Sequence, residues 1–401
     1  MWALRQSYGM LRPRHGISHG RTVVALGRTV LERKKRDSNL ELLRILAMLI
    51  IIANHFATKA GWPHGSIFAS DVMLDFLVIG GKTGVNVFIL ITGYFMIEST
   101  FKVRSLLRVY GETIFYSLLF LAVFVLGRSA LVNPERVFNG IFPVITGTYW
   151  FVAAYIGLYL LTPWLNRAVH GMSRAAYGRL LILLFIVLSV IPTLAPLVTS
   201  PTINAVDFVY AVLPWFVFMY LLGGYIKLYG IERFSKRAWS YILLASTAFI
   251  FASMFGLEWL RQVAHVAYLS PTYFRNPNMI SALIFSVSLF FVFKNMDIKH
   301  NRFINAVAAT TFGVYLIHDN EFVSAWLWKH FKFAYHMQPL MFLAVAVGAV
   351  VAVFCVCSLA DYLRIRLLEK PVFALLEKHG ARRLDLADAW MNGEDLEKAE
   401  S

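Results

Sequence analysis

The chain has 401 residues, of which 58% are hydrophobic and only 15% charged, and its mean hydropathy is +0.62. A soluble globular chain carries about a quarter charged residues, so this composition excludes one and describes a polytopic membrane protein. The net charge of +15 then speaks for basic loops that set membrane orientation, and not for nucleic acid.

Residues 1–38 form a basic tail with nine Lys or Arg against Glu32 and Asp37, ending in Arg33, Lys34, Lys35 and Arg36. No apolar core precedes a small-residue cleavage site, so the tail is not a secretory signal. Ten apolar segments follow, at about 39–58, 76–97, 106–127, 147–165, 178–197, 208–228, 238–258, 279–296, 305–325 and 338–360, each near the length that crosses a bilayer as helix. With the tail inside, the cytosolic loops hold thirteen Lys or Arg against eight outside, which satisfies the positive-inside rule. The expected fold is all-α, with about ten transmembrane helices and both termini cytosolic, in the cell membrane. Gly65 to Gly81 is a short apolar piece, read as a re-entrant or interfacial element before the helix starting near Lys82. Residues 361–401 divide into an amphipathic helix over 361–380, interrupted by Pro371, and a polar tail. Three domains result: the tail 1–38, a transmembrane unit 39–360 and a cytosolic end 361–401.

The first apolar helix carries Glu41, Arg44 and His55. Eleven residues at about 100° each bring Arg44 and His55 within roughly 20° of one azimuth, about 16 Å apart along the axis. Ionisable groups in such a segment mark a functional site by default. A histidine titrates near neutrality and can accept a proton from a hydroxyl nucleophile. The competing reading is a histidine bonded to a neighbouring helix or to water. Arg44 either snorkels to headgroups or meets phosphates, and Glu41, three residues earlier, is placed to fix its guanidinium. Asn86 and Tyr94 interrupt the next apolar run, GVNVFILITGYFM. Lys102, Arg104 and Arg108 then open a helix that carries Glu112, which is expected to pair with Arg108; the cations make an anion-binding mouth. Trp150 and Tyr155 belong to TYWFVAAYIGLYLLTPW, where a membrane-boundary aromatic belt is the simpler account. His318 and Asp319 end TTFGVYLIHDN with Tyr315. Cys355 and Cys357 fall on different helix faces and read as apolar filler. No metal-ligand spacing is present.

Taken together, the Arg44-x10-His55 spacing, GVNVFILITGYF, YWFVAAYIGLYLLTPWL, FGVYLIHD and a late LEKPVF resemble the acyltransferase type 3 family of integral membrane acyltransferases, above all its exopolysaccharide and surface-glycan O-acetyltransferases. The resemblance spans most of 39–370. It implies transfer of an acyl group, by default acetyl, from cytosolic acyl-CoA to a glycan or lipid-linked sugar hydroxyl, with no permanently bound cofactor. It makes Arg44 and His55 the catalytic pair and Arg104 and Arg108, with Lys102, the donor-binding cations, although their spacing of four departs from the family's Arg-x-x-Arg. Glu41, Glu112, Asn86, Tyr94, Trp150, Tyr155, His318 and Asp319 are supporting residues. Many relatives carry an extracytoplasmic domain that completes delivery; here that role would fall to a separate transferase or to polysaccharide-assembly proteins, alongside membrane lipids as partners. The rival class is a transporter or flippase of a lipid-linked sugar, which also predicts buried charge among many helices.

Overall fold

The computed structural model describes residues 37–63, 68–198, 212–231, 234–263, 270 and 272–394. The basic tail, ending at Arg36, lies outside them, as does part of the Gly65–Gly81 piece. The described elements are helices. They are α1 (Ser38–Lys59), α2 (Phe68–Val78), α3 (Gly81–Met96), α4 (Val103–Leu126), α5 (Pro134–Ile141), α6 (Trp150–His170), α7 (Arg174–Phe185), α8 (Ile191–Val198) and α9 (Val212–Tyr229). After them come α10 (Lys236–Val263), α11 (Ile280–Lys294), α12 (Arg302–Ala308), α13 (Thr311–His318), α14 (Glu321–Leu327), α15 (Pro339–Arg364) and α16 (Lys370–Asn392).

Eight helical stretches among the described residues are long and apolar enough to cross a membrane. They coincide with eight of the ten expected segments. The other two are helical as well, and differ for readable reasons. Segment 147–165 is α6, 21 residues long, whose tyrosines, tryptophans and internal Pro163 dilute its hydropathy. Segment 305–325 is broken into α12, α13 and α14. Thr310 and Thr311 bond back to the carbonyls of Val307 and Ala308, and Asn320 caps α14 through Phe322 and Val323; such side chains compete with the helix ladder. The Gly65–Gly81 piece, where described, is helix α2, joined through a turn to α3 in one candidate span, Ser70–Met96.

Helix α1 is the hub. Its run from Leu40 to Ala57 contains neither Gly nor Pro, and Leu40, Leu43, Ala47, Ile52 and Phe56 are wholly buried. A helix with apolar residues on all its sides belongs inside a bundle even where one stripe also carries charge, and α1 packs on α2, α3, α11, α12, α13 and α15. Against α3 lies α9, at backbone contact: a Cβ on Gly93 would strike the Tyr220 backbone, and one on Gly223 the backbone of Leu90 and Tyr94. Small residues at a crossing permit this approach.

The expected break at Pro371 is absent. Helix α15 runs into α16 through a π-helical turn, Ile365–Glu369, and the helix extends to Asn392, into the stretch expected as polar tail. Proline lacks an N–H and its ring crowds the carbonyl four residues earlier; the wider π register relieves both. Cys355 is exposed and Cys357 buried, on different faces as their spacing implies.

Candidate functional site

One face of α1 presents Arg44, Met48, Ile51 and His55, at intervals of four, three and four residues, which is the spacing of a single helical stripe. The upper part of that stripe forms the wall of a cavity of about 380 Å³. Met48, Ile51 and His55 line it from α1, Val85 and Phe88 from α3, Trp150 and Phe151 from α6, and Phe312 and Tyr315 from α13. Thr58, Lys59 and Lys82 reach its rim, at the end of the bundle where α1 finishes.

His55 is held from behind by α13. Its Nδ1 lies 3.0 Å from His318 Nε2, and His318 Nδ1 lies 2.5 Å from the Val314 carbonyl oxygen. A carbonyl only accepts, so His318 Nδ1 carries the proton and its Nε2 accepts from His55 Nδ1–H. His55 is thereby left with an unprotonated Nε2, the one of its ring nitrogens with no hydrogen bond among the described residues. Asp319 Oδ1 stands 3.5 Å from His55 Nδ1 and is ion-paired to Lys59. The end of α13 is itself clamped: Tyr149 donates to the Leu316 carbonyl (3.0 Å) and accepts from Asn320 (2.9 Å). His318 is fully buried with its ring edge-on to Trp328. The arrangement sets an imidazole, a second ring that orients it and a carboxylate in one cluster, as a base and its supports are set where a nucleophile is activated.

Arg44 lies one turn beyond Met48 and does not line the cavity. Its Nη1 meets Glu41 Oε1 at 2.7 Å, the pairing their spacing predicts, and its guanidinium lies over the Phe95 ring. Tyr155 bridges the two levels. It stacks between Phe151 at the cavity and Tyr159, within electrostatic range of Arg44. Trp150 is at the cavity, 40% exposed. Asn86 and Tyr94 are elsewhere. Asn86 donates to the Pro277 carbonyl (2.7 Å) and accepts from Trp215 (2.8 Å), tying three elements together, while Tyr94 packs on Phe290 and under Lys227.

The cationic mouth is paired with the chain's own carboxylates. Lys102 meets Asp388 (3.4 Å), Arg104 meets Glu377 and Asp385 (3.6 and 3.5 Å), and Arg108 meets Glu369 (2.9 Å) and stacks on Phe373. Asp388 also accepts from the Val103 backbone N–H (2.6 Å), so α16 caps α4 in the manner of an N-cap residue. The expected Arg108–Glu112 pair does not form. Glu112 instead forms an ion pair with Arg364 (Nη2 to Oε1, 3.0 Å), whose Nε and Nη1 donate to Asp361 (2.7 Å) and Glu369 (2.9 Å). Arg364, 252 residues along the chain from Glu112, offers a planar fork that serves three carboxylates at once. Local spacing gave no sign of it.

Two features of the site escaped sequence reasoning. One is the partnership of His55 with His318, visible only as two histidines in separate apolar runs. The other is the place of Tyr315, which the sequence sets beside His318 and Asp319 without giving it a role: it lies one turn before His318 and borders the cavity. Among the described residues no cluster of three His, Cys, Asp or Glu is disposed to hold a metal. No curated protein and no solved structure matches the chain. The family model described as "Acyltransferase domain" (acyltransferase 3) matches residues 37–362, a span that holds α1, the cavity and the His55–His318 pair and that sets aside the transporter reading. The chain is thus a multi-pass membrane acyltransferase, of the kind that moves groups other than aminoacyl, and it belongs to the acyltransferase 3 family.

Proposed function

We propose that the chain transfers an acetyl group from cytosolic acyl-CoA to a hydroxyl of a surface or exported glycan, with His55 as general base. The observation that carries this reading is the uncommitted Nε2 of His55 beside a cavity walled by Trp150, Phe151, Phe312 and Tyr315. Aromatic faces of this kind pack on the apolar faces of sugar rings, and a few convergent polar groups fix orientation. The acceptor hydroxyl gives its proton to His55 and attacks the thioester carbonyl; the thiolate leaves and takes the proton back. A positioned base of this kind contributes about 10²–10⁴-fold.

Orientation in the plasma membrane follows from the basic loops: the Ser38 end of α1 is cytosolic and the Lys59 end faces outward. The donor then approaches from the Arg44 side. Arg44 is the buried cation nearest its path, with Glu41 holding the guanidinium. Arg104 joins in donor binding where the phosphates displace Glu377 and Asp385, both exposed carboxylates, and Lys102 and Arg108 flank it with their own carboxylates in place. The unit 39–360 is the catalytic domain, flanked by cytosolic segments 1–38 and 361–401.

Membranes carrying the wild-type chain are expected to move labelled acetyl from acetyl-CoA to glycan. His55→Ala should abolish that transfer at equal membrane abundance, and near-normal activity in this variant would sink the assignment.

A further inference from the structure

The mechanism above leaves one chemical need unmet: attack on a thioester builds negative charge on the carbonyl oxygen, and His55 as base does nothing for it. Enzymes meet that charge with fixed donors aimed at where it develops. Among the residues lining the cavity, Tyr315 has the matching chemistry. Its side chain is 6% exposed and it borders the cavity that His55 borders. Its hydroxyl is buried and makes no well-formed hydrogen bond to a described residue; the polar group it faces is Asp319, a carboxylate already paired with Lys59 and beside His55. A buried hydroxyl without a well-formed hydrogen bond costs about 1–3 kcal/mol, and with Asp319 engaged by Lys59 that donor stays available to a molecule bound in the cavity.

The ring cannot swing away from that duty. It packs edge-to-face against Phe151 (5.6 Å between centroids), Tyr149 (6.0 Å) and His318 (6.4 Å). Residues 315 and 318 lie on one face of α13, as residues three apart do, so one helix carries the available donor and the ring that orients the base. Such locking supplies the preorganisation an electrostatic stabiliser needs.

Resting on the acyl-transfer reading, we propose that Tyr315 is a catalytic residue whose hydroxyl donates a hydrogen bond to the carbonyl oxygen of the acyl group as it becomes an oxyanion. The acceptor oxygen forms a bond to the carbonyl carbon, its proton passes to His55 Nε2, and the carbonyl π pair moves onto oxygen against the Tyr315 O–H. When the pair returns, the C–S bond breaks and the leaving thiolate takes the proton from His55. Tyr315 keeps its own proton throughout.

The test is Tyr315→Phe, which keeps the ring and its packing and deletes only the hydroxyl. In nanodiscs with acetyl-CoA and, as acceptor, the surface-glycan fraction isolated from cells lacking the chain, kcat should fall about 10²–10³-fold while both KM values and the melting temperature hold. A kcat within threefold of wild type overturns the proposal. If His55→Ala is inactive in the same assay, only the role of Tyr315 has failed; if His55→Ala is active too, the acyl-transfer reading fails with it. Should Tyr315→Phe accumulate poorly, 3-fluorotyrosine at position 315 replaces it, since its phenol is a stronger donor in the same ring. A change of about twofold or more in kcat at constant KM supports the proposal, and an unmoved kcat overturns it.

Discussion

At the scale of single residues, His55 has two ring nitrogens, and what distinguishes them is a backbone carbonyl on another helix. Val314 fixes the proton of His318, and His318 fixes that of His55. Replacing His318 by Phe keeps an aromatic ring in the buried slot and removes the acceptor. His55 Nδ1 then has only Asp319, at 3.5 Å and already engaged with Lys59. The expected result is a fall of about 10²-fold in kcat with membrane abundance unchanged, read in the same acetyl-transfer assay; a kcat within threefold would mean that Asp319 alone orients the base. Much of this was legible beforehand. The His55 position, the Glu41–Arg44 pair and the interest of His318–Asp319 all follow from charge in apolar runs. Contacts between residues far apart in sequence do not follow: spacing along one helix points Glu112 to its neighbour Arg108 and cannot announce Arg364.

Among whole elements, two devices hold the bundle in register, and each can be broken singly. The first is the glycine crossing of α3 and α9. Gly93→Ala drives a Cβ into the Tyr220 backbone, and overpacking against an unyielding neighbour costs about 1–3 kcal/mol or more. Its melting temperature in detergent should drop clearly. Gly256→Ala, where an added Cβ meets nothing within 4 Å, should hold or gain slightly. The second device is the Arg364 cluster that joins α4 to the α15–α16 junction. Arg364→Met strips the guanidinium from Asp361 and Glu112, 0% and 4% exposed, and leaves Glu369 to Arg108. Removing one side of a buried ion pair costs about 3–5 kcal/mol, so this variant is expected to be depleted from the membrane, as immunoblotting would show. Helix existence was readable from apolar length at all ten expected segments. The breaks in 305–325 and the continuity past Pro371 were not, because threonine back-bonding and π turns depend on what surrounds the backbone.

The molecule as a whole has two unlike ends, and the difference bears on which side of the membrane the acceptor uses. At the end where α1 begins, α16 lies on the start of α4, and its carboxylates occupy the cations found there. At the end where α1 finishes, the rim of the cavity carries Lys82, an exposed side chain with no ion pair among the described residues. The helix between these ends places His55 eleven residues from Arg44, about 16 Å nearer the open rim. Under the proposed function, a donor held near Arg44 extends its acyl arm inward and the acceptor meets it from the opposite side. This geometry predicts a labelling pattern in intact cells, in a background with Cys355 and Cys357 replaced by Ala. An impermeant maleimide should modify Lys82→Cys at once and, being bulky, should block acetyl transfer to an external glycan. Arg104→Cys, at the end where α1 begins, should stay unlabelled until the membrane is permeabilised. Labelling of Arg104→Cys alone would invert the orientation drawn from the basic loops and put the acceptor in the cytosol. Labelling of Lys82→Cys with undiminished transfer would show that the acceptor does not pass this rim.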